Sequence, residues 1–175
     1  MRSGRLIYEP VRPHHLDDFH KLIQDAYVRH YLLDGEVFPR EWTAERIFES
    51  HALFETHGVG IWLVREKASA ELLGFCGFMV IPSVDSEPQL IYALFEEFTG
   101  KGYATEMARA AIEHAHQYAK MTGILASVDE VNSSSLRILE KLGFKRISVQ
   151  EGSFGNMFLL RLSLECGARD TGKPL

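Results

Sequence analysis

The residues best suited to chemistry form a glycine turn between a strand-like and a helix-like stretch. Residues 90–95 (LIYALF) are an apolar run of strand formers. Thr99-Gly100-Lys101-Gly102-Tyr103-Ala104 breaks the run. Apolar positions then recur at Met107, Ala108, Ala111, Ile112, Ala115, Tyr118 and Ala119, the spacing of one helix face. A glycine turn that opens a helix leaves backbone N–H groups unpaired at the positive end of the helix dipole, which suits a phosphate or pyrophosphate. Glycine also lets a ligand approach where a Cβ would block it. Plain connectivity is the competing reading. The turn is not a P-loop, because no Lys-Ser/Thr pair follows the glycines, and it lacks the third glycine of a dinucleotide fingerprint.

A second group lies upstream. Residues 27–42 show no period and carry Tyr27, Tyr31, Phe38 and Trp42 around two acids, Asp34 and Glu36. An aromatic wall with acids at its rim suits a cationic amine, through cation–π contact and Coulomb attraction. The same residues also read as core aromatics beside solvated acids. The eight histidines make no metal site. His14 and His15 are adjacent and His114 and His116 are two apart, so neither pair shares a helix face, and no His/Cys/Asp/Glu group has zinc or iron spacing. No metal is expected.

These groups need a scaffold, and the remaining pattern supplies one. Residues 6–10 read as a strand stopped by Pro10 and Pro13, followed by a helix with Leu16, Phe19, Leu22, Ile23 and Ala26 on one face. Thr43 looks like the N-cap of a further helix that ends near Gly58. Residues 60–64 and 72–80 form two strands joined by a hairpin turn at 67–70. Gly74 and Gly77 mark a strand bend or room for a ligand, and residues 82–88 read as a polar loop. After a strand at 124–128, a helix buries Leu136, Leu139 and Leu142 and stops at Gly143 in a C′ position. Residues 147–149 and 154–164 make a closing hairpin. The expected division is one domain over 1–165 and a loose tail over 166–175.

Composition excludes several classes. A chain of 175 residues with 46% hydrophobic content suits one domain with a sizeable core. A formal charge of −5 argues against general nucleic-acid binding. Cys76 and Cys166 are too far apart in sequence to suggest a disulfide framework. No signal peptide and no apolar run near the ~18 residues of a membrane span are found. The expected compartment is the cytoplasm, with no membrane or nucleic-acid partner and a monomer or homodimer as the assembly.

Two motifs resemble one known family. The turn is similar to motif A of the GNAT family of N-acetyltransferases, Gln/Arg-x-x-Gly-x-Gly/Ala, with Thr99 at the first position, Gly102 at the fourth and Ala104 at the sixth. The run GKGYATE resembles the RimJ/RimL-like branch, which acetylates N-terminal amines of ribosomal proteins. Downstream, Asn132, Ser135, Leu139, Lys141, Gly143 and Phe144 match the family's motif B, Asn-x-x-Ser-x-x-x-Leu-x-Lys-x-Gly-Phe. Both motifs stand in the family's order and separation. The resemblance implies an α/β (α+β) fold: a mixed, mostly antiparallel sheet of six to seven strands with about four helices. It also implies a motif strand that is bulged and splays from its parallel neighbour, giving a V-shaped wedge for acetyl-CoA.

The implied function is transfer of an acetyl group from acetyl-CoA to a primary amine by direct attack in a ternary complex. The acceptor would be a small cationic amine or a protein N-terminus. By resemblance, Leu94, Phe95 and Glu96 offer backbone groups to the pantetheine arm, with the Leu94 N–H aimed at the thioester oxygen. Thr99, Gly100, Lys101, Gly102, Tyr103, Ala104 and Thr105 surround the pyrophosphate, and Lys141 belongs to the cofactor set. Asn132 resembles the asparagine that bonds the pantetheine arm, and it also reads as a helix N-cap. Ser135 stands where this branch places a hydroxyl near the sulfur, which makes it the candidate proton donor. Glu140 stands where many relatives carry a tyrosine for that task, or else it is a surface charge. Gln89 stands where some relatives carry a glutamate base, and it would have to act through a water. Asp129, Glu130 and Glu87 are alternative bases. Tyr31, Phe38, Trp42, Asp34 and Glu36 form the expected acceptor region. A second possibility is an acyl-CoA-binding sensor or interaction module of the same fold that has lost turnover.

Overall fold

The computed structural model describes residue 1, residues 3–152 and residues 154–164. The expected tail at 166–175 lies outside the described residues. The chain runs β1 (Leu6–Pro10), α1 (Leu16–Gln24), α2 (Ala26–Leu32), α3 (Arg40–His57), β2 (Ile61–Glu66), β3 (Leu72–Ile81), β4 (Asp85–Leu94), α4 (Tyr103–Gln117), β5 (Gly123–Asp129), α5 (Ser133–Lys141), β6 (Lys145–Gly152) and β7 (Gly155–Ser163). The strands form one seven-stranded sheet in the order β1-β2-β3-β4-β5-β7-β6. All neighbours are antiparallel except β4 and β5.

Apolar burial holds the layers together. Phe19 of α1 meets Phe75 of β3 edge to face, with ring centroids 5.2 Å apart. Met107, Ala108, Ala111 and Ala115, the stripe legible in the sequence, are wholly buried on α4, which packs along β4 and β3. Each large side chain buried this way contributes about 1.5–3 kcal/mol. Gly74 and Gly77 are backbone-packing positions rather than room for a ligand. A Cβ at Gly74 would lie 2.0 Å from the Ala93 carbonyl oxygen, and one at Gly77 would lie 2.0 Å from that of Gly60.

Several boundaries differ from the sequence reading. Among the described residues five α-helices stand where about four were expected, because residues 27–42 are not one irregular loop. Asp25 leaves helical geometry (ψ 132°), and its carboxylate accepts from the N–H groups of Tyr27 and Val28, so a new short helix starts there. Helix α3 begins at Arg40 behind Pro39 rather than after Thr43, which is buried inside it. Strand β4 starts at Asp85, so residues 85–88 are strand rather than loop. Pro88 is tolerated because it pairs with Val80 at a position where strand N–H groups face β5, short of the point where β5 joins.

The β4–β5 junction shapes the functional region. Phe95 N–H donates to the Leu73 carbonyl at 3.0 Å. Hydrogen-bonded pairs alternate along an antiparallel ladder, so Gln89, Ile91 and Ala93 also direct their backbone groups to β3. Leu90, Tyr92 and Leu94 therefore direct theirs toward β5. The two parallel strands pair at the single register position Gln89↔Leu125 and then diverge. The split is the expected wedge. The register against β3 runs unbroken through it, and the irregularity lies at Val80/Ile81, at the other end of the strand from Leu94.

Candidate active site

A cavity of about 1170 Å³ fills this split. Its walls are the diverging ends of β4 (Leu90 to Leu94) and β5 (Ala126 to Asp129), the turn before α4, the first turns of α5, and part of α2. Gly102 sits at the N-cap of α4 with φ +80°, a conformation that glycine adopts without penalty. The first intrahelical bond there runs from Glu106 N–H to Gly102 O at 3.1 Å. The N–H groups of Tyr103, Ala104 and Thr105 precede it and have no place in the helical ladder. Arg5 lies beside this turn. Its Nη1 donates to the Lys101 carbonyl at 3.0 Å, and its Nε pairs with Glu106 at 2.8 Å.

Of the residues expected at the cofactor, Leu94, Thr99, Gly100, Gly102, Tyr103, Ala104, Thr105, Asn132, Ser135 and Lys141 line the cavity. Phe95 does not, and its N–H donates to the Leu73 carbonyl. Glu96 is also off the lining; its carbonyl accepts from the Thr99 N–H at 3.0 Å and the Thr99 hydroxyl at 2.8 Å. Lys101 points away, with Nζ over the Phe98 ring at 5.3 Å. Asn132 caps α5 by accepting from Ser135 N–H at 3.0 Å, and Ser135 Oγ lies 2.7 Å from the Tyr92 hydroxyl.

The other candidates separate clearly. Gln89 is fully buried outside the lining, and its amide N and O have no partner among the described residues. It stands at the position still paired with Leu125, and the cavity begins at the next residue, Leu90. Glu140 is exposed and also off the lining. Glu130 accepts from Asn156 Nδ2 at 3.0 Å, and Glu87 is paired with Arg161 at 3.7 Å. Asp129, by contrast, lines the cavity, and burial followed by the nearby charge of Asp34 holds its carboxyl above the usual range. Tyr31 and Asp34 line the same end together with Tyr27. Phe38 and Trp42 stack on each other at 4.2 Å away from it, and Glu36 is exposed elsewhere.

Two contributions escaped the sequence reading. Tyr92 is one, a half-buried hydroxyl whose phenol burial pushes up to about 12 against the lowering effect of its bond to Ser135. The available signal was its place in the motif strand, where it is the one hydroxyl among residues 90–95, and a buried tyrosine hydroxyl needs a partner. The other is the closing hairpin, which adds Gln150, Glu151, Gly152 and Met157 to the cavity wall beside Asp129. No local pattern marked those residues. Among the described residues no cluster of three or more His, Cys, Asp or Glu side chains could hold a metal, and no helix is long and apolar enough to cross a membrane.

Comparison with known proteins agrees with this geometry. Residues 5–145 match the acetyltransferase (GNAT) domain. The uncharacterized protein YkkB of Bacillus subtilis is 30% identical over 89 residues, 50% of this chain and 51% of its own length. The uncharacterized N-acetyltransferase YjdG of the same organism is 29% identical over 112 residues, 59% of this chain and 67% of its own. The matches thus span about half to two thirds of these relatives. A putative GNAT-family acetyltransferase from Bordetella pertussis has the same fold, with a TM-score of 0.79 at 21% identity over 92% of this chain and 97% of that one. So does RimL, a ribosomal alpha-N-protein acetyltransferase in complex with coenzyme A (0.77, 16%, over 93% and 96%). So does spermidine N-acetyltransferase from Vibrio cholerae in complex with CoA and spermine (0.75, 14%, over 93% and 97%). A seven-stranded sheet split at its parallel junction and the match over residues 5–145 lead to one conclusion: this chain belongs to the GNAT acetyltransferase family.

Proposed function

We propose that the chain moves an acetyl group from acetyl-CoA to a primary amine by direct attack in a ternary complex. The acceptor is a small cationic amine or a protein N-terminus. The observation that supports this most is the split beyond Gln89↔Leu125. It turns the backbone groups of Tyr92 and Leu94 toward a cavity that reaches from the start of α4 to Asp34 and Asp129. Two solved neighbours of this fold were determined with CoA; one is named for spermidine, the other for a protein α-amine.

The residues present fit the donor. The open N–H groups at the start of α4, with the Arg5 guanidinium beside them, suit a pyrophosphate. The unpaired strand groups of Tyr92 and Leu94 suit the amides of a pantetheine arm. Acetyl-CoA, when bound, supplies an activated thioester with a thiolate leaving group. Leu94 N–H acts as a fixed donor to the thioester oxygen, a kind of contact worth about 2.7–4 kcal/mol in the transition state. Asn132 serves both as cap and as a pantetheine contact, and Ser135 offers its hydroxyl proton to the departing sulfur. Asp129 accepts the proton of the amine, with burial and Asp34 making it a stronger base than an exposed aspartate. Asp34, Tyr27 and Tyr31 attract and orient the cation.

The test is release of free CoA thiol from acetyl-CoA with a panel of polyamines and short peptides. The proposal expects release that requires both the protein and an amine. Cofactor binding without amine-dependent release would instead identify a binding module.

A further inference from the structure

The Tyr92–Ser135 hydrogen bond joins a residue of β4 to one of α5 across the split, at 2.7 Å between the two hydroxyl oxygens. Two fixed contacts hold Ser135. Its N–H donates to Asn132 Oδ1 at 3.0 Å, and its Oγ meets Tyr92. Either hydroxyl can donate in the second bond. Tyr92 Oη also lies 3.5 Å from the Ser135 carbonyl oxygen, too long to compete with a 2.7 Å contact for the single phenolic proton. When the phenol donates to Ser135 Oγ, the serine proton is left for the cavity that both residues line.

We infer that Tyr92 stands behind Ser135 as a second donor: the two hydroxyls form a hydrogen-bond chain that ends at the leaving sulfur of the acyl donor. This rests on the reading of the cavity as an acyl-CoA site. A serine alone is a poor acid, because it would have to become an alkoxide. In a chain the balance differs. As the C–S bond breaks its electron pair goes to sulfur, Ser135 Oγ–H hydrogen-bonds that thiolate, Tyr92 O–H hydrogen-bonds Ser135 Oγ, and the sulfur takes its proton from solvent after release. Both hydroxyls end neutral. Hydrogen bonds in such a chain polarise one another, which strengthens the terminal donor before any proton moves. Burial keeps the phenol protonated across the physiological range, so the chain is charged with its proton before the donor binds. Tyr92 acts through Ser135 and is a positioning residue in this sense.

The test needs no acceptor and uses CoA itself. A donor chain aimed at sulfur stabilises the thiolate form, so the thiol of bound CoA should titrate at lower pH than that of free CoA. A charge-assisted contact of this strength corresponds to a shift of about one pH unit or more. The readout is the ultraviolet absorbance of the thiolate, followed against pH at saturating protein. Expected is a depressed transition in wild type, a partial return toward the free value in Tyr92→Phe, and a full return in Ser135→Ala. The double variant should match Ser135→Ala, because the two residues act as one unit. CoA affinity at low pH, where the thiol is neutral, should stay within about twofold in all three, which also certifies the folded site. A Tyr92→Phe protein that binds CoA normally and titrates it as wild type does overturns the inference alone. Failure of wild type to bind CoA overturns the inference and the acyl-CoA reading together.

Discussion

Replacing Gly102 by alanine tests whether the turn before α4 grips a pyrophosphate. Space is not the obstacle: the nearest heavy atom to an added Cβ would be Arg5 Nη2 at 3.6 Å. The obstacle is the backbone, which holds φ at +80°. An L-residue pays about 1–2 kcal/mol there. The chain can relieve that strain by rotating the peptide planes on either side, which takes the N–H groups of Tyr103 and Ala104 off a common focus. Losing one hydrogen bond to a charged ligand costs about 1.5–3 kcal/mol, or roughly ten- to a hundredfold and more in Kd. Gly58 provides the control. It has φ +69° at the C-cap of α3, outside the cavity. Gly58→Ala should cost similar stability and leave affinity unchanged. Calorimetry with CoA, after thermal melts verify folding, compares the two. A folded Gly102→Ala protein with wild-type affinity would refute the phosphate role of the turn.

Three other outcomes follow from the same geometry. Ser135→Ala should lower kcat about 10²-fold, at the low end for acid–base assistance, with KM for acetyl-CoA little changed in steady-state kinetics. Asp34→Asn should raise KM for a cationic amine several-fold and weaken its salt dependence, while Glu36→Gln, which stands off the cavity, should do neither. Burial and the negative charge of Asp34 both disfavour the ionised form of Asp129. If Asp129 is the base, kcat should rise with pH through an acid limb above the ordinary aspartate value, and Asp34→Asn should move that limb down. A pH–rate profile with an unmoved limb would count against the pairing.

Much of this was legible where a local rule governs the outcome. β1 falls on residues 6–10 and α5 ends before Gly143 as read, because a proline stop and a left-handed glycine (φ +93°) are local signals. The buried stripe of α4 and the Asn132 cap were visible for the same reason. The misreadings share a different cause. Helix α2 is only one short element, Ala26–Leu32, and it depends on Asp25 turning its carboxylate to cap it, a choice that periodicity does not reveal. Phe38 and Trp42 looked like an acceptor wall by composition, yet their stacking on each other is a tertiary outcome. Gln89 and Tyr92 are three residues apart in one strand, and only Tyr92 meets the cavity because β5 leaves β4 just after Gln89↔Leu125, a tertiary outcome that no local pattern reveals. The closing hairpin reaches the cavity beside Asp129 only through β7 pairing with β5.

The central claim is that the split between β4 and β5 seats an acyl-CoA. The most direct measurement is a crystal structure of the protein grown with CoA. The account predicts a pantetheine arm lying between Tyr92–Leu94 and Ala126–Val128, its amides bonded to strand groups left unpaired beyond Gln89↔Leu125, and its pyrophosphate against the N–H groups at the start of α4. CoA bound elsewhere, or a split that closes into continuous β4–β5 pairing with no ligand in it, would contradict the account.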